Sequence, residues 1–216
     1  MNVQQMLKFW HGGKPYTGDV FPKHFSLDDQ KVLRARYRDI PEEFYKKTKL
    51  PVVTPENHAA FMQAHQALAI TWALQEQFSG SGRVSWEAYR NGLPTLFPVD
   101  LRYGWDLNLP SHRKMIDLTR NAMHPLVKYS SPDCRHWTSM TNANPDREGL
   151  ALARQQEFPM LDWLQHDNHR QAVTGYGYVN ENGKLSQIWT QSPLSRNTDI
   201  PGNKSYYTDG CTFGLV

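Results

Sequence analysis

Asn168-His169-Arg170-Gln171-Ala172-Val173-Thr174-Gly175-Tyr176-Gly177-Tyr178-Val179-Asn180-Glu181-Asn182-Gly183-Lys184-Leu185-Ser186-Gln187-Ile188-Trp189-Thr190-Gln191 is the stretch on which the reading of the fold turns. Residues 172–179 are rich in strand formers. Gly175 and Gly177 interrupt them and mark a bulge or a close backbone approach. Asn182-Gly183 is strong hairpin punctuation. Leu185, Ile188 and Trp189 then supply a return strand. The expectation is a hairpin over residues 171–191, turning at 180–183, within a mainly antiparallel sheet.

Helical grammar dominates upstream. In Thr54-Pro55-Glu56, Thr54 can cap, Pro55 suits the first helical position, and Glu56 favours the positive end of the dipole. Phe61, Ala64, Leu68, Trp72 and Phe78 recur at helical spacing, so one helix is expected to about Phe78. Ser79-Gly80-Ser81-Gly82 ends it. Leu96–Leu101 reads as an edge strand because it contains Pro98. Ser111 caps a helix over 112–123. Ser131-Pro132-Asp133-Cys134 and Asn144-Pro145-Asp146 open two more. Pro159 should kink or restart the last one before a further turn to His166. The tail from Pro193 reads as irregular, with a closing strand near Phe213. The fold class expected is α+β: helices packed against a small, mainly antiparallel sheet, with long irregular connections. The 216 residues fit a single domain, with 1–55 an irregular wrapping segment and 56–216 the core.

Composition narrows the function classes. The 24 basic and 21 acidic residues leave a net charge of +3, too small to argue for nucleic acid. Aromatic residues make up 12% of the chain, and seven are Trp, enough for a large core or an aromatic-lined cleft. The cysteines, Cys134 and Cys211, form neither a zinc array nor a disulfide scaffold; a bridge and two thiols both stay open. The N-terminus shows no cleavable signal, and no apolar run is long enough to span a bilayer. The protein is expected in the cytoplasm or exported by a signal-less route.

A thiol three residues into a helix is primed for chemistry, because the dipole and the unpaired amides favour the thiolate. Cys134 holds that position if Ser131 caps. His169 opens the hairpin and could share the thiol proton. Across the ladder, the Gln191 carbonyl could accept from the imidazole and orient it.

The run His169-Arg-Gln-Ala-Val-Thr-Gly-Tyr-Gly-Tyr, with Asn182-Gly183-Lys184-Leu185 and Gln187-Ile188-Trp189-Thr190-Gln191-Ser192, resembles the histidine half of papain-like cysteine peptidases and amidases. In that family the histidine opens a strand and the next strand carries the orienting Asp or Asn. The resemblance implies His169 as the base and Gln191 as the orienter. It covers residues 168–192 only. The family's nucleophile begins a long helix just before a Trp, whereas Thr71-Trp72-Ala73 carries no cysteine and Cys134 lies close upstream of His169. The activity implied is cysteine-dependent hydrolysis, amidase or deamidase chemistry on an amide bond of a protein or peptide, without cofactor or metal.

Other constellations supply alternatives. Asp133, Cys134 and His136, with His124, His166 and Asp167, offer ligands for a mononuclear metal hydrolase. Asp100 and Asp106 in an aromatic segment could serve as paired carboxylates on a sugar. His58 and His65 share a helix side but have no flanking ligand. Gly80-Ser81-Gly82 lacks the lysine and serine context of a phosphate-binding loop. A non-catalytic protein-binding or structural module, such as an effector, also suits the aromatic content.

Overall fold

The computed structural model describes residues 53–80 and 82–206. Most of the wrapping segment 1–55, the closing strand near Phe213 and the pairing state of Cys211 lie outside those residues. The described chain forms two compact units. The first ends at Ser131 and takes in Tyr176–Asn180; the second comprises Pro132–Gly175 and the chain from Glu181 onward.

The first unit is organised by a three-stranded sheet of β1 (Leu74–Gln77), β2 (Val127–Ser130) and β3 (Gly177–Asn180), in that spatial order. Both pairings are parallel, with Gln77 opposite Ser130 and Ser130 opposite Asn180. Residues 95–99 extend the sheet on the free side of β1 through parallel bridges Leu74–Thr95 and Gln77–Val99. The strand expected over Leu96–Leu101 is reduced to those two bridges, and Leu101 begins a 3₁₀ turn, Leu101–Tyr103. Helices join these segments: α1 (His58–His65), α2 (Arg83–Arg90) after β1, and α3 (Pro110–Met123) before β2.

The sheet is therefore all-parallel, and the expected mainly antiparallel sheet is corrected. Parallel neighbours need crossover connections, which here are helices. The expected hairpin is absent for a local reason. Gln171–Val173 finish a helix, α4 (Arg147–Val173), and Gly175 follows at φ 83°. Only Gly177–Asn180 is strand, and it pairs with β2 alone. Asn182 donates its side-chain amide to the Pro132 carbonyl at 2.8 Å, and residues beyond it fold into a turn and a short helix, α5 (Ile188–Gln191).

The long helix expected over 54–78 is also shorter. α1 stops at His65, Leu68 and Ile70 are exposed, and the chain enters β1 after Trp72. Leu-Gln-Glu-Gln has little strand propensity, yet all four residues are buried. Ladder bonds on both sides of β1 override propensity. Leu96 and Val99 donate to Leu74 and Glu76, and Leu126 and Val127 donate to Trp72 and Ala73. An aromatic core supports this unit. Phe97 stacks on Trp105 at 5.5 Å, and Phe61 meets Phe97 edge-on at 5.1 Å. The Trp105 indole N–H donates to the Val53 carbonyl at 2.7 Å.

In the second unit, α4 runs unbroken through Pro159 instead of restarting there. It starts two residues later than the Asn144-Pro145 signal placed it: Asp146, not Asn144, is the cap and accepts the Gly149 amide at 2.8 Å. Trp137, Leu161, Leu164 and Ile188 are fully buried in this unit. A short 3₁₀ segment, Pro193–Asp199, follows α5.

Candidate ligand-binding edge

The connection from β1 to residues 95–99 leaves to one side, and the later strand β2 lies on the other. The strand order thus reverses at β1. In parallel α/β sheets, ligands bind outside the carboxyl ends of the strands at such a reversal. The carboxyl end of β1 carries Phe78-Ser79-Gly80-Ser81-Gly82, followed directly by α2.

This turn has unusual backbone geometry. Phe78, Gly80 and Gly82 have φ of 52°, 53° and 69°. Glycine accepts the left-handed region freely, but phenylalanine does so at a cost on the order of 1 kcal/mol. Such strain collects where a backbone path is imposed by function. Among the described residues, a side chain at Gly80 would meet nothing within 4 Å.

Asp100, just past the bridged segment, fixes the turn. One carboxylate oxygen accepts the Gly80 amide at 2.9 Å, and the other caps the next turn by accepting the Arg102 amide at 3.0 Å. The Tyr103 hydroxyl donates to the Gly80 carbonyl at 3.3 Å.

Behind the turn lies Glu76, whose carboxylate accepts from the Ser85 amide at 2.7 Å and the Ser85 hydroxyl at 2.6 Å. A longer bond comes from the Val84 amide at 3.4 Å. Burial pushes the Glu76 carboxyl up to about 7, aided by the neighbouring Asp100 charge and opposed by the Ser85 and Val84 donors. On the other sheet face, the Ser130 hydroxyl donates to the Gln77 side-chain carbonyl at 3.0 Å. Among the described residues, the Gln77 amide nitrogen and the Ser79 hydroxyl are buried without a partner. Buried polar atoms rarely stay so in a native protein, and these two sit at the end of β1.

The residues singled out for thiol chemistry lie elsewhere. Cys134 is exposed in a turn, where its carbonyl accepts from the Trp137 and Thr138 amides at 2.8 and 2.9 Å. No helix begins at Ser131, so the dipole argument for a primed thiolate does not apply. His169 is exposed on α4 rather than at the head of a strand. Gln191 ends α5, and its side-chain Oε1 accepts from Arg154 Nη1 at 2.9 Å. Among the described residues, no hydrogen bond joins Cys134, His169 and Gln191 to one another.

Arg154 organises the surroundings of Gln191. Its guanidinium also donates to the His136 carbonyl at 2.8 Å, to the Thr141 hydroxyl at 3.1 Å and to the Gln187 side chain, and it lies 5.0 Å from the centre of the Trp137 ring. Glu157 binds His136 Nδ1 at 2.7 Å and the Trp137 indole N–H at 2.6 Å.

Other candidate ligands are engaged in hydrogen bonds of their own. His166 Nδ1 bonds the Asp162 carbonyl, and Asp133 accepts the Arg135 amide. His58 Nε2 meets the Thr119 hydroxyl at 2.7 Å, and His65 Nδ1 meets the Phe61 carbonyl at 2.9 Å. Asp106 accepts the Asn108 amide within its own turn. Among the described residues, no three His, Cys, Asp or Glu side chains form a metal-binding group. Among the same residues, no helix is long and apolar enough to cross a membrane.

Comparison with protein-family models, curated proteins and solved structures finds no match to this chain.

The sequence reading passed over Glu76, Ser79 and the Gly80–Asp100 pairing. A signal was available in the 20-residue interval from Gly80 to Asp100. A glycine turn after a strand, with an acidic residue about 20 positions on, is the spacing of dinucleotide-binding βαβ units. It became legible only once Leu74–Gln77 was a strand.

Proposed function

We propose that the carboxyl edge of the parallel sheet binds a small molecule bearing a ribonucleoside. The observation that carries this reading is Asp100 bonded to the Gly80 amide at the point of strand reversal. Asp100 stands where an acidic side chain takes ribose hydroxyls in dinucleotide-binding βαβ units. The Ser79 hydroxyl, buried without a partner among the described residues, supports a ligand at this place. The turn reads Gly80-Ser81-Gly82-Arg83-Val84-Ser85, with serine where dinucleotide folds carry a third glycine.

Calorimetric titration with the four ribonucleosides and their 2′-deoxy counterparts tests the proposal. One ribonucleoside should bind with a Kd below about 1 mM. Its deoxy form should bind several-fold more weakly. No binding by any of the four would end the reading.

A second reading rests on the exposure of Cys134 and His169. It is thiol-dependent hydrolysis or deamidation of an amide bond in a protein or peptide, with His169 as base. Iodoacetamide should then label Cys134 in the folded protein faster than in the unfolded chain at mild pH. Equal or slower labelling counts against it.

A further inference from the structure

A helix N-terminus after a glycine turn ordinarily offers its amides to a phosphate. Here the amides of its second and third residues are already taken. α2 begins at Arg83, so Val84 and Ser85 are its second and third residues. Their amides point at the Glu76 carboxylate, which also takes the Ser85 hydroxyl. Glu76 is 3% exposed, so its position is set by packing rather than by solvent. The serine in place of the third glycine is part of the same arrangement, because its hydroxyl supplies the shortest of the three bonds.

We propose that Glu76 is the specificity-determining residue of this edge: its carboxylate fills the amides at the start of α2 that would otherwise bind phosphate, and so selects a ribonucleoside over its phosphorylated forms. The inference rests on the ribonucleoside reading above and names the ligand class within it. A phosphate entering the turn would lose the amide donors that hold it in dinucleotide folds. It would also meet two carboxylates, Glu76 behind the turn and Asp100 beside it. A neutral or cationic group at the 5′ position meets neither penalty.

The test measures binding of the four ribonucleosides and their 5′-diphosphates to the full chain at about pH 8. The unsubstituted protein should prefer the free nucleoside by at least about tenfold. In Glu76→Gln, which removes the charge at nearly constant volume, that preference should shrink severalfold, mainly through tighter diphosphate binding. Glu76→Asp keeps the charge and serves as the second variant; it should retain most of the discrimination. Equal binding of nucleoside and diphosphate by the unsubstituted protein overturns the inference while leaving the nucleoside reading intact. An unchanged preference in Glu76→Gln overturns it as well. Binding of neither ligand class sinks the nucleoside reading, and this inference with it. The comparison on the unsubstituted protein stands even if a variant does not fold.

Discussion

Asp100 and Gly80 are joined at 2.9 Å, carboxylate to backbone amide, across 20 residues of chain. The bond links the end of the bridged segment 95–99 to the turn that follows β1. It thereby couples two segments that lie side by side only because the sheet is parallel. Removing it should cost both stability and ligand affinity. Asp100→Ala loses the Gly80 bond and the cap on the Arg102 amide. The expected destabilisation is about 1–3 kcal/mol in chemical unfolding. Asp100→Asn keeps one acceptor and should fold better. Its affinity for the ribonucleoside should still fall by at least about tenfold, as read by calorimetry. Wild-type affinity in Asp100→Asn would separate this carboxylate from the ligand.

Glu76 gives a pH dependence with a definite sign. Its carboxyl lies at about 7 in the folded protein, against 4.5 for the ordinary group. The folded state therefore binds the proton more tightly than the unfolded chain. The stabilisation is fully present below about 4.5 and is lost as pH rises through about 7, for a total on the order of 3 kcal/mol. Thermal unfolding between about pH 5 and pH 8 should show this decline. Glu76→Gln should remove that component of the slope; an unaltered slope in the variant would assign the decline to other groups.

His58 acts in the opposite direction. Burial pushes its imidazole below the ordinary value of 6.5. It stays neutral beside the Thr119 hydroxyl, packed edge-on to Trp105 at 5.7 Å. The unfolded chain takes up this proton more readily than the folded one. Stability is fully retained above about 6.5 and declines as pH falls below it. An NMR titration should find the His58 ring midpoint below 6.5. A midpoint at or above that value would falsify the assignment.

The elements legible in the sequence were those specified locally. α3 was expected at 112–123 behind a Ser111 cap and spans Pro110–Met123: its amphipathic run was legible, but Pro110 takes the first position and Ser111 lies inside the helix. The start of α4 was legible to within a few residues, but the Asn-Pro grammar put the cap at Asn144 and the chain caps with Asp146. The sheet was not legible. β1 is Leu-Gln-Glu-Gln, with neither alternation nor β-branched residues, and it exists because segments on both sides supply ladder partners. Gly177–Asn180 does carry strand formers, but its partner is set by topology, not by the Asn182-Gly183 turn beside it. Once β1 is read as helix, Gly80 becomes a helix stop and Asp100 is paired with Asp106 instead of with Gly80. The candidate site was hidden by that single assignment. Cys134 stood out because Ser131-Pro132 has helix-start grammar, but the chain forms a turn there instead.

The start of α4 depends on a residue that no helix propensity would favour. Gly149 lies in the first turn, where its amide donates to Asp146 Oδ1. A methyl group there would sit 2.1 Å from Asp146 Oδ2 and 2.7 Å from its carboxyl carbon. Gly149→Ala would ordinarily stabilise a helix, by up to about 1 kcal/mol. Here it must expel the capping carboxylate, which costs about 0.5–2 kcal/mol. The net change should be close to zero or destabilising. In Asp146→Ala the obstacle is gone, and the same Gly149→Ala substitution should then stabilise. A double-mutant cycle in chemical unfolding reads this as a coupling of at least about 0.5 kcal/mol. Additive effects of the two substitutions would mean that Asp146 does not hold the cap in solution.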